Sequence, residues 1–277
     1  MNTLRRCKPL LGTYVETFLQ GDVNDDVLIQ QSNIAFSAIQ DVHDSMSFHD
    51  PCSELSQVNQ HALDREVELS DSMFFLLSQI HSLHELSDGL FDPTIANELI
   101  HRGDLPSPTG YNYQDNTIGW QAVEINTNAV RFHQPLLIDL GGIAKGYAVD
   151  KAIENIDESI EIIINAGGDI RMSHWQNEDV SIAYSELGET KLCELSMRAS
   201  AVASSASYYN NDNSVIIDPI KKSVVEHRDT VSVFANTCLH ADALTKIVWL
   251  NNNPEMVLKK LSACAVFINA NKVTYID

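Results

Sequence analysis

The chain has 277 residues, 44% of them hydrophobic, which is apolar enough for a large globular domain and too apolar for a disordered protein. Its 38 acidic and 18 basic residues give a formal net charge of −20, so its field repels nucleic acid and we expect no nucleic-acid partner. The five cysteines lack zinc or redox spacing and are predicted to be unpaired thiols, mostly packed in the core.

The N-terminal segment contains basic residues but no apolar run of signal-peptide length before Gly12. No later segment is long and uncharged enough to span a bilayer, so no transmembrane segment is predicted. We interpret the chain as a cytoplasmic protein, or as an exported one if a signal peptide has been removed.

In the first half of the chain, hydrophobic periodicity and capping residues predict four elements. They are a strand at 12–19, a helix at 27–46, a loop at 48–60, and a helix that Ser70 caps and Gly89 closes. The stretch at 103–119 contains several prolines and glycines and is predicted to be a loop or lid and a possible lobe boundary.

The second half mixes short β-type runs with helices. Strands are predicted at 120–125, 129–133, 135–140, 160–172, 180–185, 201–205, 214–218, 230–235, 263–269 and 272–276, and helices at 143–156, 240–250 and 254–262. Because the two kinds of element do not alternate strictly, the sequence predicts an α+β fold rather than a doubly wound α/β fold. We expect mixed sheets with packed helices, in two closely associated lobes of a single domain over residues 1–277.

The strongest local signal is the junction from Ile138 to Gly146, where a predicted buried strand ends in two glycines and a helix begins. A helix start of this kind directs free backbone N–H groups at an anion, and Lys145 adds a mobile positive charge. The alternative is a tight turn with a solvated lysine. The spacing matches neither a dinucleotide-binding GxGxxG motif nor a P-loop.

Two further runs of small residues follow this junction. Gly167 and Gly168 interrupt a β-branched strand just before Asp169, and they either line a ligand or form a bulge in which the aspartate caps the turn. Ser204 and Ser205 supply hydroxyl groups, with a polar turn as the alternative. Because strand ends are where open sheets hold ligands, two glycine breaks this close together favour a binding site.

Two groups of polar residues stand among apolar neighbours. Asp92 and Thr94 lie at a predicted helix start, where N-capping alone would explain them. Asp242, Thr245 and Lys246 share one face of a predicted helix. Oxygen ligands beside an ammonium favour a site for a hard cation or a phosphate. The alternative is an exposed capping aspartate that forms an i,i+4 salt bridge with Lys246.

Together these segments resemble the ApbE family, the flavin transferases that attach FMN from FAD to a threonine or serine of an acceptor protein. The matching runs occur in the family's order between Leu11 and Trp249, and IDLGGIAKGYAVD and NAGGDIR are the most specific pair. The resemblance implies an ApbE-like fold that binds FAD, moves FMN to the acceptor with the help of Mg²⁺, and releases AMP.

The resemblance also implies which residues form the site. The implied contacts with FAD are Phe48 at the adenine end, Asp92, Thr94, Gly142, Lys145, Asp150, Gly167, Gly168, Asp169, Ser204, Ser205 and Ile217. The implied ligands of Mg²⁺ are the backbone carbonyl of Ala144, the carboxylate of Asp242 and the hydroxyl of Thr245. The implied catalytic residues are Asp242 and Lys246.

The sequence departs from the family pattern at three places in the site, one of which is the pair Lys221 and Lys222, where the family has Thr-Gly. Lys246 stands where the family has a metal-binding Asp or Thr, and Val215 stands where it has a histidine associated with acid–base chemistry. Loss of a general base costs roughly 10²–10⁴-fold in rate, while Lys246 is a cation that can partly replace the metal. Two other functions therefore stay open beside FMN transfer: FAD binding without catalysis, as in a flavin carrier, and Mg²⁺-dependent hydrolysis of FAD.

Overall fold

The structure, a computed structural model, describes residues 1–108, 119–186, 189–206, 216–225, 230–269 and 272–277. The strands are β1 (Asn2–Leu10), β2 (Thr13–Gly21), β3 (Val67–Glu68), β4 (Val123–Asn126), β5 (Ala129–Phe132), β6 (Glu161–Ala166), β7 (Asp169–Met172), β8 (Asp179–Glu186), β9 (Glu189–Ser196), β10 (Ala201–Ala206), β11 (Ile217–Asp218), β12 (Ser223–Val224), β13 (Thr230–Ala235), β14 (Cys264–Asn269) and β15 (Lys272–Ile276). The helices are α1 (Asp25–Met46), α2 (Glu54–His61), α3 (Asp71–Leu86), α4 (Ala96–Arg102), α5 (Ala144–Glu154), α6 (Cys238–Leu250) and α7 (Glu255–Lys260). The α+β class predicted from the sequence is confirmed.

The chain divides into two compact units. The first comprises Met1–His43, Ile143–Asn210 and His227–Asp277, and the second comprises Asp44–Gly142 and Asn211–Glu226. The predicted lobe boundary at 103–119 falls inside the sequence of the second unit, and residues 109–118 are outside the described residues. That boundary stays a prediction.

An antiparallel sheet is the framework of the first unit, with the strand order β1-β2-β6-β7-β10-β13-β14-β15. Every residue of β13 is buried, because both faces of the sheet are covered. Helices α5 and α6 pack on one face, where Ser205 of β10 contacts Thr245 of α6. The β8–β9 hairpin covers the other face, where Val202 of β10 packs in one cluster with Val180 and Phe234.

Helix α6 is buried along almost its whole length. The Thr237 hydroxyl caps it by accepting the backbone N–H of His240 at 3.2 Å. Its sequence, CLHADALTKIVWL, is apolar nearly all round, as expected of a core helix. Asp242 and Lys246 are the charged residues of this helix, and buried charge requires a partner inside the fold.

The second unit combines α2, α3 and α4 with two small sheets, in the orders β3-β5-β4 and β11-β12. Ser53 caps α2 and Ser70 caps α3, each through its side-chain oxygen. Glu54 accepts both the backbone N–H and the hydroxyl of Ser70, at 2.7 Å each, and so ties the starts of the two helices together. The predicted cap at Ser70 is confirmed.

Three predictions for the second unit are wrong in whole or in part. The strand predicted at 120–125 begins only at Val123, because Trp120–Ala122 is a 3-10 helix. Residues 48–60 are not all loop, because α2 begins within them. Residues 135–140 belong to no strand in the described part of the chain. The carboxamide of Asn59 instead bonds both the N–H and the carbonyl of Ile138, at 2.8 and 2.9 Å. The apolar run at 135–140 indicates burial correctly, but a side chain rather than a neighbouring strand satisfies this part of its backbone.

In the first unit the predicted strands and helices are confirmed, while β1 and β9 are not predicted by the pattern. β1 lies at the edge of the large sheet, and β9 pairs only with β8 in the described residues. Most residues of these two strands are exposed or half-buried. Strands without a continuously buried face lack the apolar alternation from which strands are recognised.

The five cysteines are free thiols, as predicted. The expectation that most of them pack in the core is wrong, because only Cys238 is buried, while Cys7 and Cys52 are exposed. Among the described residues, no helix combines the length and the apolar character needed to cross a bilayer.

Candidate active site

Two lysines and two aspartates of the first unit form one group of ion pairs, here called the ionic cluster: Lys145, Asp169, Asp242 and Lys246. Lys145 lies in the first turn of α5, Asp169 begins β7, and the other two lie one turn apart on α6. Lys145 Nζ pairs with Asp169 and lies 3.6 Å from Asp242 Oδ2, while Lys246 pairs with Asp242 Oδ1. All four are predicted site residues, and the structure brings them together.

The carboxylates of the cluster are buried, whereas its lysines reach the surface. The side chains of Asp169 and Asp242 are 3% and 1% exposed, and those of Lys145 and Lys246 are 32% and 23% exposed. The alternative interpretation of Asp242 as an exposed capping residue is therefore wrong, although its i,i+4 pairing with Lys246 is confirmed. Because a buried carboxylate needs a charged partner, the aspartates hold the lysines in fixed positions.

The pKa values of the two carboxyl groups shift in opposite directions in this environment. Burial opposes ionisation of Asp242, but Lys145 and Lys246 outweigh it and hold the pKa of that carboxyl below its ordinary value. Burial, together with the negative charge of Asp242, raises the pKa of Asp169, and Lys145 offsets this only in part. Burial also acts to lower the pKa of Lys145, but the two aspartates outweigh it and raise the pKa. Lys145 is therefore a permanent positive charge.

Asp150 fixes the helix that carries half of the cluster. Its carboxylate oxygens accept the backbone N–H groups of Cys238 and Leu239, at 2.8 and 2.9 Å, and Arg171 donates to it at 2.7 Å. These N–H groups belong to the first turn of α6, where they have no partner within the helix. Asp150 of α5 thus caps α6. Its predicted contact with FAD stays a prediction.

Gly146 allows α5 and α6 to approach each other closely enough to form the cluster. A Cβ at this position would overlap the backbone carbonyl of Cys238 and lie 2.9 Å from the Cα of Leu239. The Gly146 N–H also donates to Asp242 Oδ2, at 3.3 Å. The sequence pattern singles out neither Gly146 nor Arg171. A lone glycine inside a helical pattern is nevertheless a signal for such a close contact.

The second glycine pair forms a two-residue hairpin turn rather than a bulge. Gly167 and Gly168 link β6 to β7 with φ angles of +66° and +103°, a region that favours glycine. Asn165 Oδ1 accepts the N–H of Gly168 at 2.8 Å. Ala166 and Asp169 form the pair that closes the turn, so the turn sets the position of Asp169 in the ionic cluster. Contacts of these glycines with FAD stay predictions.

The N-cap residue of α5 does not cap the helix. Ile143 occupies that position without a side-chain hydrogen bond, whereas Thr237 caps α6. Asp242 accepts the N–H of Gly146 in the first turn of α5, so this start is capped only in part. A partly capped first turn that carries Lys145 is consistent with the anion-binding helix start that the sequence predicts. Ala144 is the first residue of this turn and Gly142 precedes it in the chain. Their predicted contacts with Mg²⁺ and FAD stay predictions.

The hydroxyl groups of the three predicted hydroxyl residues are engaged within the first unit, and two of these residues, Thr245 and Ser205, lie beside the cluster. Thr245 Oγ1 donates to the backbone carbonyl of Asp242 at 2.8 Å and lies 2.8 Å from Ser205 Oγ. Ser204 Oγ lies 2.8 Å from Ser232 Oγ. The alternative interpretation of Ser204 and Ser205 as a polar turn is wrong, because both belong to β10. Of the two serines, Ser205 contacts the helix that carries Asp242 and Lys246.

The predicted magnesium ligands do not fit Mg²⁺ well. Asp242 has an ammonium group near each carboxylate oxygen, so the four charges of the cluster already cancel. Two unit charges 4 Å apart near a protein surface interact by about 4 kcal/mol. A divalent ion on Asp242 would therefore meet repulsion from Lys246, which already pairs with that carboxylate.

The remaining predicted residues lie in the second unit, where Asp92 begins the 3-10 helix Pro93–Ile95. Asp92 Oδ1 accepts the N–H and the hydroxyl of Thr94, at 2.8 and 2.6 Å, and Oδ2 accepts the N–H of Trp120 at 3.1 Å. The Thr94 hydroxyl in turn accepts the N–H of Gly119 at 2.7 Å. The N-capping interpretation of Asp92 is confirmed, and contacts of Asp92 and Thr94 with FAD stay predictions.

Two further predicted contacts in this unit are apolar. Phe48 packs against Ala96, Ile100 and Leu137. Ile217 is buried in β11. Val215 lies outside the described residues. The contacts of Phe48 and Ile217 with FAD stay predictions.

An α+β framework that holds two paired lysines, one of them in the first turn of a helix, defines a protein suited to an anionic ligand. The chain belongs to the ApbE family, whose family model matches residues 11–267. The match covers both glycine-rich runs and the helix of Asp242 and Lys246, and it confirms the resemblance seen in the sequence.

Individual proteins and solved structures that are similar to this chain carry names that are consistent with the family. A protein of Chlamydia trachomatis serovar D named FAD:protein FMN transferase is 27% identical, over 80% of this chain and 77% of its own. A protein of Vibrio cholerae with the same name is 27% identical, over 86% and 80%. Among solved structures, the flavin transferase ApbE of Vibrio cholerae matches with a TM-score of 0.83 at 22% identity, over 99% of this chain and 96% of that one. The ApbE protein of Thermotoga maritima gives a TM-score of 0.82 at 22% identity over the same shares, so the predicted fold is confirmed.

Proposed function

We propose that this chain is an FAD:protein FMN transferase, which moves FMN from FAD to a threonine or serine of an acceptor protein and releases AMP. Relatives that cover most of the chain carry this name. The observation that carries the proposal is the ionic cluster, because it fixes two ammonium groups, one of them in the first turn of α5. Fixed ammonium donors in a cluster without net negative charge are what a diphosphate needs in a chain whose net charge is −20.

Each lysine of the cluster keeps a donor for a ligand. An ammonium group has three N–H donors. Lys246 uses two of them, on the carboxylate and on the backbone carbonyl of Asp242. Lys145 has two partners among the described residues, Asp169 and Asp242. One donor on each lysine can therefore form a charge-assisted hydrogen bond to a phosphate oxygen.

These donors suit the chemistry of FMN transfer. The acceptor hydroxyl attacks the phosphorus of the FMN half of FAD and forms a new P–O bond. The bond from that phosphorus to the bridging oxygen breaks, AMP leaves with its electron pair, and the hydroxyl proton passes to solvent. Lys145 and Lys246 donate to the diphosphate oxygens on which charge accumulates, while Asp169 and Asp242 hold the lysines in place.

Mg²⁺ is the cofactor that the resemblance implies, with Ala144, Asp242 and Thr245 as its protein ligands. The pairing of Asp242 with two lysines does not suit that ion, so no step described above passes through it. The acceptor protein and the cellular location are likewise expectations from the sequence.

FAD binding without catalysis is the second candidate function, and position 215 favours it. Val215 cannot exchange a proton, whereas the family has a histidine there. A flavin carrier would use the same lysines to hold the diphosphate. With water in place of the acceptor hydroxyl, the same site would hydrolyse FAD.

The test incubates the purified chain with FAD and an acceptor protein that bears a flavinylation motif. We expect flavin fluorescence that stays on the acceptor after denaturation, and AMP in equal amount by chromatography. An acceptor in which the target threonine is replaced by alanine is the matched control and should stay unlabelled. AMP without a labelled acceptor would show hydrolysis instead, and bound FAD with neither product would show a carrier.

A further inference from the structure

Lys246 occupies the position in the cluster at which the resemblance implies a metal ligand. Its ammonium group pairs with Asp242 Oδ1 and also donates to the Asp242 backbone carbonyl at 3.1 Å. Both contacts come from the residue one helical turn earlier on α6, and that residue is buried. The ammonium group is therefore fixed to the carboxylate that would otherwise receive the cation.

The cation charge at Asp242 is thus supplied by the chain itself. The Lys246 side chain is 23% exposed, so its remaining donor is accessible to a ligand while the carboxylate beneath it is sealed from solvent. Lys145 neutralises Asp169 in the same way and is also partly exposed. The charges of the cluster cancel, so its two fixed ammonium groups act on a diphosphate as hydrogen-bond donors that the paired aspartates hold in place.

The first turn of α6 does not provide an alternative anion site. The N–H groups of Cys238 and Leu239 are bonded to Asp150, and that of His240 is bonded to Thr237. Near Asp242, charge for a diphosphate must therefore come from a side chain or from an added ion, and the side chain is already present.

We propose that Lys246 replaces the metal ion, so that this chain binds the diphosphate of FAD, and transfers FMN, without a divalent cation. The transfer part rests on the proposed function above, whereas the binding part stands independently of it. Throughout FMN transfer, Lys246 stays an ammonium group that donates a hydrogen bond to the diphosphate, and it neither gains nor loses a proton. Replacing it with threonine leaves the cluster with one net negative charge, which a divalent cation would then compensate.

The experiment measures FAD binding to the full chain by flavin fluorescence, in EDTA and in excess Mg²⁺. For the unaltered chain we expect the two dissociation constants to agree within about twofold. For Lys246→Thr we expect affinity in EDTA to fall by about tenfold or more, the value of one charge-assisted hydrogen bond. Added Mg²⁺ should restore part of that loss in the variant.

Two controls separate charge from fold. Lys246→Arg keeps the positive charge and should bind FAD in EDTA far better than Lys246→Thr. Lys151→Thr removes a lysine of α5 that pairs with Glu154 instead of the cluster, and this variant should bind as the unaltered chain does. Thermal unfolding of each variant checks its fold, and the comparison in the unaltered chain needs no variant. If the unaltered chain binds FAD tenfold or more tightly in Mg²⁺ than in EDTA, the inference is overturned.

The transfer assay distinguishes this inference from the proposed function. Labelling of the acceptor in EDTA supports both. Labelling only in Mg²⁺ supports the transferase and overturns the metal-free role of Lys246. Metal-independent FAD binding without labelling in either buffer overturns the transferase and supports Lys246 as the cation for the diphosphate.

Discussion

The two helices of the ionic cluster begin differently. In the first turn of α6, Asp150 and Thr237 accept the backbone N–H groups of Cys238, Leu239 and His240. In the first turn of α5, Asp242 accepts the N–H of Gly146, while Ile143 at the N-cap position makes no side-chain hydrogen bond. The start of α6 is therefore capped within the core, whereas the start of α5 is capped only in part and presents the half-exposed Lys145 to a ligand.

The largest expected effect on stability comes from removing the Asp150 carboxylate that caps α6. Asp150→Ala leaves Arg171 and two first-turn N–H groups without their partner, and removing one side of a buried ion pair costs about 3–5 kcal/mol. We expect the free energy of unfolding in urea to fall by that order. Asp150→Asn keeps an acceptor and should lose clearly less. A loss below about 1 kcal/mol in Asp150→Ala would mean that Asp150 does not fix α6.

The next largest effect is expected on FAD affinity, from Lys145 in the first turn of α5. Lys145→Met removes the ammonium group from the first turn of α5, so FAD affinity should fall by about ten- to a hundredfold, as expected for a lost hydrogen bond to a charged group. Fluorescence titration measures the affinity. Lys151→Met lies on the same helix, paired only with Glu154 and Tyr147 in the described residues, and serves as the matched control. Equal affinities of the two variants would contradict an anion-binding role for this turn.

A smaller effect is expected where the two helices touch. Gly146→Ala places a methyl group against the backbone of Cys238, and overpacking of this kind costs about 1–3 kcal/mol. Chemical denaturation should show this loss, although alanine is the better helix former. Lys151→Ala should change the free energy of unfolding by no more than about 0.5 kcal/mol. Unchanged stability in Gly146→Ala would show that the contact can open without cost.

The smallest expected effect is a difference between Asp242 and Asp169 in how each contributes to stability as the pH changes. The pKa of Asp242 is lowered in the fold, so its ionised form stabilises the protein above its ordinary value of 3.8, and this contribution is lost as the pH falls through the lowered pKa. The pKa of Asp169 is raised, so its contribution has the opposite sign and declines as the pH rises through that raised value. At neutral pH, Asp242→Asn should therefore destabilise the chain more than Asp169→Asn. Urea unfolding from neutral pH to below 3.8 tests this, and equal losses at neutral pH would contradict it.

The sequence identified the residues of the cluster better than it identified their surroundings. Lys145 and Asp169 follow from the glycine-rich runs, and Asp242 with Lys246 follows from helical spacing. Asp242 nevertheless has an alternative reading as an exposed residue, because spacing along a helix does not say which neighbours cover it. The strand expected at 135–140 fails for the same reason, since a strand requires a partner that its own residues do not specify.

By itself the sequence determined the α+β class, the family, most helices and strands, and the four charged residues, since these depend on local periodicity and on motif wording. Only the tertiary structure decided that Asp150 caps α6 and that Gly146 is the point of helix contact. It also decided that each oxygen of Asp242 faces an ammonium group. These are relations between segments distant in the chain, and packing, not local sequence, fixes which charges meet and which are buried.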